Sequence, residues 1–531
     1  MVEQASAGEP MSERAPGQHA VRGAALTAIW TLGSRLLGFV RDAMLAATFG
    51  MSPLLGAFTL AWVVPNLFRR LFGEGAVSAA VQPALARAEA EEGHEVAGQL
   101  YARFQGLLLV VLGGLLIVSE VLVWVWRSNL PTDPAHEDLR RVLLFSLLLL
   151  PYLLPICLCA LAGAPQNLSG RFLLPALAPA MLNLVWIIAL FLAPQMSDHL
   201  EQATVGLAIA VVLGGCLQWA MQIPGVRASG WPLRPEFDWR DPRLRAAVKA
   251  FLPALLGLAA VQINVAIDQV LVRSLVGDEA NTFTYLANRL LHLPLALIGI
   301  AAMTGAMPLF SRLAAARDTE GMQRALKRAS ESTLLLTAAA GGGLAVVSLP
   351  TVRFLFEHGQ VTAEESPLIA STLCAYLWVL PVAALGGLLT RAHQSLGSYR
   401  LPAFAALAAV PVNLTLNIVL LPRYGVPAAG WATAISLAVQ LALLAAFLPR
   451  WSLRWPVAFS ALPSLLAPGI TATVVAWCWL RFVPTPWLFT DLAGSIGFAV
   501  LAALGVSWQC RRQDVRELWL ALKRRKVRAK L

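Results

Sequence analysis

Runs of about 20 consecutive apolar residues recur along the whole chain, each long enough to cross a bilayer as a helix. They fall at 25–48, 54–82, 104–126, 142–164, 172–193, 203–223, 247–275, 281–311, 331–357, 367–394, 400–421, 428–448, 459–482 and 487–509. Most have no polar face, so a water-soluble bundle is excluded: its helices would carry a polar stripe opposite the core. The pattern predicts an all-α polytopic membrane protein of fourteen spans. An even number of spans places both termini on one side.

Composition agrees. The 531 residues are 58% hydrophobic and 13% charged, where soluble domains carry about 25%. The net charge is +11, but its placement points away from nucleic acid. Nine basic residues lie in the tail from Arg511 to Lys530, where a basic segment beside a span sets topology and touches anionic lipid. With the termini inside, and with basic residues at the span ends counted with the loops they adjoin, the cytoplasmic side holds 29 of the 41 Lys and Arg, the opposite side seven, and the span interiors five. That bias predicts an inner-membrane protein with both termini cytoplasmic. Cys157, Cys159, Cys216, Cys374, Cys478 and Cys510 form no CxxC pair and read as small apolar residues. The polar first 24 residues contain no cleavable signal peptide.

The first twelve spans repeat weakly at a shift of about 225 residues. Phe58-Thr59-Leu60-Ala61 echoes Phe283-Thr284-Tyr285-Leu286-Ala287, Asp42 matches Asp268, and Pro83 and Arg87 match Pro308 and Arg312. A shift of six spans preserves orientation, so the halves are parallel repeats about an axis along the membrane normal. Transporters of this kind bind substrate between the halves. The expected organisation is a polar cytoplasmic segment (1–24), an N-lobe of six spans (25–223), a cytoplasmic linker (224–246), a C-lobe of six spans (247–448), two added spans (449–509) and a basic tail (510–531).

Charged residues inside the spans are the candidate chemistry. An arginine at mid-bilayer costs about 2.5–3.5 kcal/mol even on the lenient insertion scale, so Arg35, Arg41, Arg69 and Arg289 must face water or anionic partners. Arg70 reads as a residue snorkelling from a helix end. Arg35 and Asp42, seven apart, share a face, and Asp42 can pair with Arg35 or with Arg41. Arg41 lies about 120° round the helix from Arg35. For both to reach one cavity the helix should bend at Gly38. In the second span Pro65, Asn66 and Arg69 form a polar cluster, with Pro65 removing a backbone hydrogen bond. Glu74, between Gly73 and Gly75, continues it as a candidate gate. Several cations with few anions suit a phosphate-bearing substrate, which the arginine fork matches.

A second set lies in the C-lobe: Asp268, Asn413 and Asn417 (one face of span 11) and Thr433. One carboxylate with neutral oxygens suits a Na⁺ or H⁺ coupling site, and ordinary interhelical hydrogen bonding explains the same residues. His292 and His393 sit near helix ends without clustered partners. No HExxH, GxSxG or phosphate-cradling glycine loop is convincing, and no cofactor is expected. The chain reads as a transporter, not an enzyme.

Two stretches carry a resemblance. Ser34-Arg35-Leu36-Leu37-Gly38-Phe39-Val40-Arg41-Asp42 and Pro65-Asn66-Leu67-Phe68-Arg69-Arg70-Leu71-Phe72-Gly73-Glu74-Gly75-Ala76 resemble the MurJ (MviN) lipid II flippases. Leu355-Phe356-Glu357-His358-Gly359-Gln360-Val361-Thr362 is a third match. The resemblance spans nearly the whole chain. It implies a flippase carrying undecaprenyl-diphosphate-linked peptidoglycan precursor to the outer leaflet by alternating access, driven by membrane potential or a cation. It implies that Arg35, Arg41, Arg69 and Arg289 are cavity arginines, that Glu74 stands at a portal, and that Asp268, Asn413, Asn417 and Thr433 match a cation site of some members. Membrane lipids and cell-wall synthesis proteins are the other expected partners. Three departures stand out: Asn417 replaces an acidic residue of some members, Gly56 stands where many carry an acidic residue, and the segment after span 10 reads Arg391-Ala392-His393-Gln394-Ser395. The competing readings are an exporter of another polyprenyl-diphosphate-linked oligosaccharide and a non-transporting scaffold for wall synthesis.

Overall fold

A computed structural model of the chain describes residues 16–72, 81–196, 199–483 and 487–510. Among these residues there are helices and no strands. The first half holds α1 (Pro16–Phe49), α2 (Pro53–Ala61), α3 (Val63–Leu71), α4 (Gln82–Glu92), α5 (His94–Asn129), α6 (Glu137–Leu149), α7 (Leu153–Leu168), α8 (Leu173–Met196) and α9 (Leu200–Ala228). The second half holds α10 (Pro242–Leu275), α11 (Ala280–Pro294), α12 (Ala301–Ala315), α13 (Thr319–Val346), α14 (Ser348–Phe356), α15 (Ser366–Leu377), α16 (Val379–Ser395), α17 (Arg400–Tyr424) and α18 (Ala428–Ala446). Two more, α19 (Leu462–Phe482) and α20 (Leu488–Cys510), follow.

Within the described residues, the fourteen apolar runs fall on helices or broken helix pairs. Of the described residues, nine helical segments are long and apolar enough to cross a membrane, and α13 with α14, bent by 68°, would make a tenth. The four runs outside that set are the first, second, seventh and eighth, which carry Arg35, Arg41, Arg69, Asp268 and Arg289. Charge thus concentrates in those four runs, while the other runs hold mainly neutral polar groups such as Asn183, Gln218, Asn413 and Asn417. Lipid-facing helices such as α5 show the opposite character, with Val110, Ile117, Leu122 and Trp126 exposed along their length.

Local sequence explains the interruptions. Ser52 caps α2, its hydroxyl accepting from the Leu55 N–H at 3.2 Å, with Pro53 in the first turn. The helix then breaks at Trp62, because Pro65 has no N–H to offer the Ala61 carbonyl one turn back. The corresponding element of the second half breaks as well: α11 ends at Pro294 and passes through a π-helical turn, Leu295–Ile300, before α12. Such turns widen a helix and free backbone groups. Both breaks lie beside the charged residues.

The helices sort into two bundles. In the first, α1 and α9 pack on α8, and α7 packs on α9 and α5. In the second, α17 packs on α10 and α18, α16 on α13 and α18, and α15 on α11. The added pair attaches to the second bundle, α19 against α13 and α20 against α19. The bundles meet where α2 and α3 face α10 and α11, and where α1 approaches α14. Residues 224–246 tie the first bundle to α10: Arg103 of α5 reaches Asp241, the N-cap of α10, at 2.5 Å, and the Glu236 N–H donates to the Ala102 carbonyl at 3.0 Å.

Candidate functional site

The site is built around Asp42, a fully buried carboxylate on α1. Its Oδ1 accepts from Arg41 Nε at 2.9 Å, Arg41 Nη2 at 2.6 Å and the Tyr285 hydroxyl at 3.0 Å. Its Oδ2 lies 2.5 Å from Arg289 Nε, a contact of charges without the alignment of a hydrogen bond. Arg41 belongs to the first bundle; Tyr285 and Arg289, on α11, belong to the second. One carboxylate therefore holds one cation in each bundle. A buried charge without such partners would cost several kcal/mol, so the cluster is a joint between the bundles.

The chain does not unwind at Gly38: α1 is continuous helix from Pro16 to Phe49. Gly38 acts differently. A Cβ there would collide with the Arg289 guanidinium, so the missing side chain is the notch through which Arg289 reaches Asp42. Arg289 also stacks over Phe39, 5.4 Å from the ring centre. Of the two partners open to Asp42, the structure selects the neighbour, Arg41, over Arg35. Arg35 instead gathers with Arg70 and Arg289 within electrostatic reach of His292.

Asn66 holds Arg69, accepting from its Nε at 3.0 Å. Arg70 reaches across the bundles to Gln262 of α10 at 3.5 Å, which revises its reading as a snorkelling residue. Glu74 lies outside the described residues.

Sequence reasoning missed Asn183, Trp186 and Tyr285, which contact Arg41, and the convergence on His292. Asn183 had a signal: it is the single polar side chain between Leu173 and Pro194. Tyr285 had none, because its partner lies 243 positions away.

The C-lobe set also converges. Asp268 Oδ1 accepts from Asn417 Nδ2 at 2.7 Å and its Oδ2 from the Thr433 hydroxyl at 2.7 Å, while Asn417 Nδ2 also reaches Asn413 Oδ1 at 3.2 Å. One carboxylate and neutral oxygens would suit a small cation. Asn417, however, turns its amide nitrogen toward Asp268, and its own oxygen has no hydrogen-bond partner. A cation here would require that amide to turn over.

A third cluster joins the bundles at the Phe49 end of α1. Arg273, at the end of α10, forms a bidentate ion pair with Asp138 of α6 and also reaches the Asp278 carbonyl and, at 3.1 Å, Asn281 Oδ1. Asn281 Nδ2 donates to the Gly56 carbonyl at 2.9 Å and to Thr59 at 3.0 Å. A Cβ on Gly56 would strike Arg273, Asp278 and Asn281. An acidic residue at 56 would not fit, and Asp138 supplies the carboxylate from another helix. Nearby, the Gln360 N–H donates to the Ala47 carbonyl at 2.9 Å. The altered segment after span 10 is structural: fully buried His393 donates from Nε2 to the Leu444 carbonyl at 3.0 Å and accepts at Nδ1 from Trp451 at 3.2 Å, pinning α16 to α18.

Comparison with known proteins decides between the readings of this arrangement. The model of the family described as lipid II flippase MurJ matches residues 45–495. The chain belongs to the MurJ lipid II flippase family. The "Lipid II flippase MurJ" of Burkholderia cenocepacia is 29% identical over 474 residues, covering 85% of this chain and 89% of that protein. The "Probable lipid II flippase MurJ" of Rhizobium tropici is 30% identical over 489 residues, covering 90% and 91%. The fold matches a solved structure titled "Lipid II flippase MurJ, inward closed conformation" with a TM-score of 0.77 at 22% identity, covering 92% of this chain and all of that one. It also matches an inward-facing multidrug resistance MATE family transporter of the MOP superfamily with a TM-score of 0.64 at 15% identity, covering 80% and 98%. The chain is thus a multi-pass membrane transporter of flippase type, not an enzyme, with the all-helical fold that the apolar runs predicted.

Proposed function

We propose that the protein moves lipid II, the undecaprenyl-diphosphate-linked peptidoglycan precursor, from the inner to the outer leaflet of the bacterial cytoplasmic membrane. The observation that carries this is the Asp42 joint, which ties a cation of each bundle to one carboxylate. An incoming diphosphate offers several oxygens where Asp42 offers two, and arginine's fork favours phosphate. Arg35, Arg41, Arg69 and Arg289 are the guanidiniums we assign to the diphosphate, with Asn66 orienting Arg69. Glu74 is assigned to the portal.

Sidedness follows from the basic residues. Their excess on the Asp241 side supports cytoplasmic termini, and on that reading we assign the Arg273–Asp138 pair to the outer face. There the pair, the Asn281–Gly56 bond and the Gln360–Ala47 bond hold the lobes, residues 25–223 and 247–448, closed. The diphosphate enters from the inner leaflet, the outer contacts part, and the lobes rock while the lipid tail stays in the bilayer. Coupling comes from membrane potential or from a cation, with Asp268, Asn413, Asn417 and Thr433 as the candidate ion site, which takes Na⁺ only when the Asn417 amide turns over. Anionic lipid at the basic tail and wall-synthesis proteins are the proposed partners.

The test is reconstitution. Vesicles containing the purified protein should expose lipid II at the opposite leaflet faster than empty vesicles, and equal rates would exclude the reading.

A further inference from the structure

The helix α8 is apolar from Leu173 to Pro194 except at Asn183. That residue is 7% exposed and turned into the bundle toward α1. An asparagine amide has two unlike ends, and here the surroundings fix which end points where. Its Nδ2 donates to the Ser34 carbonyl at 2.9 Å, a group that can only accept. Its Oδ1 is therefore presented to Arg41, accepting from Nη1 at 3.0 Å. One helical turn on, Trp186 places its ring 4.5 Å beneath the same guanidinium. Trp186 is itself immobilised, fully buried edge-on against Phe58 and Trp62 with ring centres 5.8 and 5.1 Å away.

Arg41 is thus fixed mainly within its own bundle, Nη1 by Asn183, Nε and Nη2 by Asp42 Oδ1, and its face by Trp186, with Tyr285 of the other bundle 3.4 Å from Nη2. Arg289 is held less. It touches Asp42 Oδ2 by charge alone, and its side chain keeps 29% exposure.

We propose that Asn183 and Trp186 are positioning residues: their cradle keeps Arg41 on Asp42 Oδ1 and makes Arg289 the guanidinium that leaves Asp42 for the substrate diphosphate. This rests on the flippase reading and adds a division of labour among its arginines. When the bundles separate, Asp42 stays with Arg41 because α1 and α8 move together. Arg289 departs with α11, uncompensated unless a phosphate accompanies it. Without the cradle, Arg41 can swing off Oδ1. The whole carboxylate charge then falls to Arg289, and the diphosphate competes for it at a disadvantage.

The test is lipid II movement in reconstituted vesicles at graded lipid II content, for wild type, Asn183→Leu, Trp186→Leu and Trp186→Phe. Asn183→Leu keeps the branched shape with a modest gain in volume and removes the side-chain hydrogen bonds. It should raise the half-saturating lipid II content about tenfold, the loss of one charge-assisted bond, with the maximal rate per folded protein held within about twofold. Trp186→Leu should do the same, and Trp186→Phe, which restores a ring face, should recover most of the wild-type value. Half-saturation unchanged in both leucine variants overturns the proposal, whether or not the amount of folded protein falls. If Asn183→Leu does not fold, the Trp186 pair decides the matter alone. Failure of the wild type to move lipid II would overturn the flippase reading and this proposal with it. A moving wild type with indifferent variants overturns only the proposal.

Discussion

Asn281 donates its side-chain amide to the carbonyl of Gly56, 225 positions earlier, at 2.9 Å. That separation is the shift of the internal repeat, so each residue touches its own counterpart. Counterparts meet only near the axis that relates two halves, which supports a parallel two-fold repeat with α2 and α11 at its centre. The missing side chain of Gly56 is what lets the halves come so close. Gly56→Ala should therefore destabilise the closed arrangement by about 1–3 kcal/mol, the usual range for overpacking. Thermal unfolding of the purified protein reads it, and an unchanged melting temperature would contradict the contact.

Arg273 and Asp138 should act as the fastener of the same end. Arg273 is 5% exposed, so removing Asp138 leaves a buried cation, at a cost on the order of 3 kcal/mol. Asp138→Ala should shift the protein toward an open outer end. With the native cysteines replaced, Thr59→Cys should then react faster with a membrane-impermeant thiol reagent than in the Asp138 parent. The double exchange Asp138→Arg with Arg273→Asp should recover part of the slow rate. Equal labelling of parent and Asp138→Ala would show that the pair does not hold the end closed.

The amide of Asn417 faces Asp268 as a donor, so Na⁺ should stabilise the protein no more than K⁺ does. Asn417→Asp places a second carboxylate beside Asp268 and should create a Na⁺-specific rise in melting temperature. A Na⁺-specific rise in the unaltered chain would mean that the amide turns over to bind the ion.

Asp241 gives a prediction in pH. Burial alone would push its carboxyl up, but the Arg243 N–H and side chain and Arg103 donate to it, and the net effect holds it below the usual carboxylate range. A depressed folded value means that the stabilisation is present above the unfolded value near ~4 and is lost as pH falls through the folded one. Wild type should melt higher than Asp241→Asn at neutral pH, and the two curves should converge on acidification. Curves that run parallel down to acid pH would remove the capping role.

How much of this was legible beforehand depended on distance along the chain. Runs of apolar residues mark helices because a helix in lipid must satisfy its own backbone and present carbon outward, and these signals are local. Arg35, Arg41, Arg69 and Arg289 stood out because charge in an apolar run is costly. Which groups pair is another matter. Asp42 chooses between Arg35 and Arg41 by side-chain reach, and its bond to Tyr285 depends on how two bundles dock. Gly38 looked like a hinge from its neighbours and proved to be a notch, because the side chain that needs the space comes from α11. Arg70 looked peripheral until α10 placed Gln262 beside it.

The central claim is that arginines shared between two lobes carry a diphosphate across the membrane. Its most direct test is the rate at which vesicle-reconstituted protein brings lipid II to the opposite leaflet, measured for wild type and for Arg289→Ala. The wild type should exceed empty vesicles clearly, and Arg289→Ala should fall by roughly tenfold or more, since a phosphate–guanidinium pair is worth at least one charge-assisted bond. A full rate from Arg289→Ala, matched by full rates from Arg35→Ala, Arg41→Ala and Arg69→Ala, would contradict the account.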